Sequence, residues 1–70
     1  MYNQEIINAI EQKFGRKEAV IFCQMEALKN AMIAKDMKDK GVTEYAPFDF
    51  EYDAKWFEQK GNELIKTLID

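Results

Sequence analysis

Histidine is absent from the 70 residues and cysteine occurs once, at Cys23. Those two gaps exclude a good deal of chemistry. A lone cysteine has no disulfide partner within the chain, and a structural zinc site would lack its usual imidazole and thiolate ligands. A thiol nucleophile would lack the imidazole base that commonly activates it. Cys23 also sits in an apolar segment, where burial raises a thiol's pKa, so it reads as a small core residue. Long apolar runs are missing as well. The longest, Ala19-Val20-Ile21-Phe22-Cys23, falls far short of the ~20 residues that cross a bilayer. The opening Met1-Tyr2-Asn3-Gln4-Glu5 has no basic region of the kind that begins a secretory signal. The expectation is a soluble, cytoplasmic chain with no membrane partner. No block of one charge occurs either: the net charge of −3 is spread along the sequence, which argues against general phosphate or nucleic-acid binding.

What the chain does contain is apolar surface. Hydrophobic residues are 47% and aromatics 13% of the sequence, too rich for a disordered tail. A single core in a chain this short stands near the limit at which burial offsets conformational entropy, so further support is expected. With disulfide and zinc excluded, that support points to association with other chains or with a ligand.

Asn3 is placed to cap a first helix, with Glu5 in its first turn and Ile6, Ile7, Ile10 and Phe14 at helical spacing; Gly15 closes it in a left-handed conformation. From Arg16 to Lys40 neither glycine nor proline intervenes, which predicts one long helix ended by Gly41. Three stripes run along it. Ile21, Met25, Leu28 and Met32 form one of large residues, Phe22, Ile33 and Met37 another, and Cys23, Ala27, Ala31 and Ala34 a third of small ones. A solvent-facing helix needs only one, so the first half is expected to be enclosed.

Between Gly41 and Asp53 the period changes. Phe48, Phe50 and Tyr52 alternate with Asp49, Glu51 and Asp53, which predicts an aromatic arm between helices two and three, either extended throughout or turning helical from about Phe50. Asp49 or Asp53 would cap the third helix, whose core stripe is Ala54, Phe57, Leu64, Ile65 and Leu68. Gly61 falls on that face, and the helix is expected to run through it, at a cost near 1 kcal/mol. The fold expected is all-α and three-helix bundle-like, one domain over residues 1–70, with helices at about 3–14, 16–40 and 51–69.

The candidate chemistries fail on spacing. Asp49, Glu51 and Asp53 match the first ligands of a calcium loop, but Ala54 stands where its glycine belongs and Lys60 where its terminal glutamate belongs. The carboxylates show no distinctive acid/base pairing. Neither a catalytic residue nor a cofactor or metal is therefore expected. The turn Phe14-Gly15-Arg16 invites a helix-turn-helix reading, but the second helix spends its surface on apolar residues, and Arg16-Lys17 is the one basic pair there.

Interaction surfaces remain. The small stripe of Cys23, Ala27, Ala31 and Ala34 admits a close neighbour, which is either Gly61 of the same chain or the same stripe of a second copy. Tyr52 and Trp56, one turn apart, either contact another protein or seal the core edge. The run Phe48-Asp49-Phe50-Glu51-Tyr52-Asp53, with Trp56-Phe57 and Lys60-Gly61-Asn62-Glu63-Leu64, resembles the C-terminal part of short uncharacterised proteins of gut Bacteroidales and their bacteriophages. That resemblance implies a phage or mobile-element product, such as an assembly component, located within the particle, and transfers no active-site residue. The expected function is a non-enzymatic interaction or structural protein, self-associating through helix two. The alternatives are an adaptor or inhibitor docking on another protein through Tyr52 and Trp56, and a nucleic-acid accessory protein.

Overall fold

The protein is described from a computed structural model over residues 2–42 and 46–69. Helix α1 spans Tyr2–Phe14, α2 Arg16–Asp39 and α3 Ala46–Ile69. The chain is all-α as its periodicities require, and no strand occurs among the described residues. Asn3 lies inside the first turn of α1 instead of capping it.

Gly15 separates α1 from α2 by a route other than the expected left-handed turn. Its φ of +104° combines with an extended ψ of 167°, a region open essentially to glycine. Gly15 N–H still donates to the Glu11 carbonyl, and its own carbonyl accepts from Ala19 N–H, so this residue closes one helix and opens the next. At the far end of α2, Gly41 has φ +82°. Its N–H donates to the Lys38 carbonyl while Val42 N–H donates to that of Met37. This is the double closure that satisfies the last carbonyls of a helix.

The extended aromatic arm is not formed. Residues 46 to 53 are the first turns of α3, with fully buried Pro47 as its second residue and Asp49 in the first turn. Proline's fixed φ suits a helix start, where its missing N–H costs nothing, and Asp49 sits where the helix dipole favours a negative charge. An extended arm would have left its backbone groups without a sheet partner. Helical spacing instead puts Phe48 and Tyr52 together on the exposed side and leaves Phe50 half-buried.

Helices α2 and α3, each of 24 residues and therefore roughly 36 Å long, form an antiparallel hairpin. Lys38 pairs with Glu51 near the connection, and Cys23 meets Gly61 toward the other end. The shorter α1 lies against the Cys23 end. Ile7, Ala19, Cys23 and Phe57 make the core, flanked by Ile10, Phe22, Trp56 and Leu64. The Phe57 ring is met edge-on by Phe22 at 5.9 Å and by Trp56 at 5.1 Å between centroids. Arg16, at the start of α2, donates both to Glu11 of α1 and to the Thr67 hydroxyl of α3, and so ties the three helices together.

Helix α3 runs unbroken through Gly61, as expected. A Cβ at that position would stand 3.3 Å from Cys23 Cβ, so the glycine is what lets the two helices approach there. Gly61→Leu is expected to overpack this contact. After its gain in helix propensity, a net loss of about 1–2 kcal/mol remains, read as a melting temperature lower by roughly 10 °C in a thermal circular-dichroism scan.

Candidate interaction surface

The seam between α2 and α3 is built from small side chains. At about 100° per residue, Ala19, Cys23, Ala27, Asn30 and Ala34 all lie within about 40° of one direction on α2, and that direction is occupied by α3. Cys23 and Ala34 are buried, and Ala27 is half-buried. The sequence left two neighbours open for the small stripe; the structure spends most of it on Gly61 and Ala54 of the same chain. Ala31, about 80° around the helix from the seam direction, stays exposed.

Asn30 is polar, yet it is buried in this seam. Its Nδ2 donates to the Glu26 carbonyl at 2.7 Å, a back-bond that satisfies the amide inside the helix. The signal was present in the spacing, since Asn30 follows Cys23 by seven residues and so shares its face.

The stripe of large residues turns the other way. Ile21, Met25, Leu28 and Met32 lie opposite the α3 seam, and they are 40%, 65%, 63% and 63% exposed. The expected enclosure of the first half of α2 is thus incomplete: α3 covers one side and α1 the Phe22 flank, leaving the stripe of large residues facing water. Exposed apolar groups are ordinary when scattered. Four of them in line on one helix form a patch of the kind that marks interaction sites. Beside this patch, between α2 and α3, is an open groove of about 590 Å³. Ala27, Ala31, Ala34 and Ala54 contribute to it, and Leu28 is shared by groove and stripe.

Tyr52 and Trp56 divide. Tyr52 is 70% exposed. Trp56 is half-buried against Phe57, with the Lys60 ammonium 5.5 Å above its ring, and so seals the core edge. Burial pushes the Cys23 thiol above its ordinary pKa, opposed by the charge of Lys60, which keeps it protonated near neutrality. Arg16, half of the basic pair, is engaged by Glu11 and Thr67. On α3 Asp49 and Asp53 share a face, but Glu51 is turned about 160–200° from them, so the three do not converge on one point.

The shape carries the same message as the stripe. The radius of gyration is 13.5 Å with extents of 43 × 22 × 14 Å, against about 11 Å for a compact chain of this length. The accessible surface of 5446 Å² exceeds the ~4,500 Å² typical of a monomer of this mass. Among the described residues, no helix is long and apolar enough to cross a membrane. No family model, curated protein or solved structure matches the chain.

Proposed function

We propose that this chain is a non-enzymatic helical interaction protein that self-associates through the outer face of α2. The observation carrying this reading is the line of exposed large side chains, Ile21, Met25, Leu28 and Met32, on a helix whose opposite face is already packed. Holding such a stripe in water forgoes roughly 25 cal/mol for each Å² of apolar surface left uncovered. A second copy offers an identical stripe, and a two-fold contact covers both at once. The small stripe suggested by sequence is replaced as the contact surface, because α3 takes up Cys23 and Ala34. A role as an assembly component of a phage or mobile element accords with a small protein whose surface is organised for association, and with the resemblance in its C-terminal third.

The test is light scattering over a dilution series. The weight-average mass is expected to approach twice 8.2 kDa at high concentration and to fall on dilution; a constant monomer mass would overturn the reading. The exposure of Tyr52, one turn from exposed Phe48, favours a second reading, an adaptor docking on a different protein. Constant monomer mass would transfer support to it.

A further inference from the structure

We infer that two copies pair antiparallel through α2, so that Ile21 meets the partner's Met32, Met25 meets the partner's Leu28, and Glu18 faces the partner's Lys35 at both ends. This rests on the self-association reading and adds orientation and register to it.

The spacing of the exposed stripe is four, three and four residues, from Ile21 to Met25, Leu28 and Met32. That is the alternation of the two core positions of a heptad, the pattern that lets helices interlock side by side. Continued by the same steps, the stripe reaches Glu18 three residues before Ile21 and Lys35 three residues after Met32. Both are exposed, and neither forms an ion pair among the described residues. The pattern is therefore four apolar positions bracketed by an acid and a base.

Orientation follows from those ends. A parallel pair sets Glu18 on the partner's Glu18 and Lys35 on the partner's Lys35, with like charges meeting at each end. An antiparallel pair with its two-fold axis midway between Met25 and Leu28 sets each glutamate on a lysine, twice by symmetry, and leaves four apolar layers between them. Charge complementarity of this kind chooses partner and register. The whole chain exposes roughly 900 Å² more than a compact monomer of its mass, an excess of the same order as the ~800 Å² that a stable interface takes from each partner. Helix α3 lies on the opposite side of α2 and α1 on its Phe22 flank, so the face is open along its length.

The test is a charge swap read by sedimentation equilibrium at about 50 mM salt, where screening is weak. Glu18→Lys alone and Lys35→Glu alone each turn two attractions into two repulsions, and each is expected to weaken dimerisation about tenfold. The combined Glu18→Lys/Lys35→Glu chain is expected to return to within about threefold of the starting affinity. Either substitution removes a charge that suits its end of the helix dipole, and the double variant carries both losses. Its recovery thus has no source in helix stability. A dimer whose affinity is unchanged by every substitution would overturn the antiparallel register while leaving self-association standing, and a double variant no tighter than the singles would do the same. A chain monomeric throughout would remove both.

Discussion

Truncation of Phe57 to alanine is expected to leave the chain largely unfolded. Phe57 is 4% exposed and stands at the centre of the aromatic cluster, with the Phe22 and Trp56 rings both edge-on to it. Removing a buried phenylalanine side chain costs about 3–5 kcal/mol through lost transfer energy and the cavity left behind. A single hydrophobic core in a chain of 70 residues rarely supplies more than about 3–5 kcal/mol in total. Its few buried side chains give little scope for collapse around the void, since α1 contributes chiefly Ile7 and Ile10 to this core. The expected result is a loss of most helical circular dichroism at temperatures where the unmodified chain is folded. Near-native helicity and melting in Phe57→Ala would show that the core lies elsewhere.

The second large effect is on association. Changing Met25 and Leu28 together to glutamate puts four carboxylates at the centre of a two-fold contact and removes the apolar layers beside the axis. Each buried Leu or Met is worth about 1.5–3 kcal/mol, so dimerisation is expected to weaken by at least about a hundredfold. The monomer fold is expected to survive. Both positions face water in the single chain, and glutamate is a good helix former. Unchanged helicity with lost association would separate an interface from a core face, a distinction that Phe57→Ala does not make.

The α-helical class and its punctuation were legible in the sequence because they rest on local chemistry. Gly15 and Gly41 mark the helix breaks, and both adopt the positive φ that other residues avoid. What was not legible is which stripe of α2 faces inward. By hydrophobicity the large stripe should have been chosen, and the choice was made by size. Gly61 and Ala54 let α3 approach the small stripe closely, and α1, with 13 residues, is too short to cover what remained. The aromatic alternation misled for a related reason. Three aromatics two residues apart fit a strand, but Phe48 and Tyr52 are also i and i+4 on a helix. Pro47, just ahead of this run, is at home in a first helical turn. Of the six suggested contact residues, Cys23, Ala34 and Trp56 serve the chain's own packing. Ala27 is shared between core and groove, while Ala31 and Tyr52 remain at the surface.

The measurement that bears most directly on self-association is sedimentation equilibrium of the unmodified chain beside Met25→Glu/Leu28→Glu, over about 1–200 μM, a range that brackets the micromolar affinities expected of a modest interface. The unmodified chain should pass from 8.2 kDa toward twice that mass as concentration rises, and the double variant should remain at the single-chain mass with the same helical content. Equal masses for the two chains at every concentration would contradict an interface on the outer face of α2.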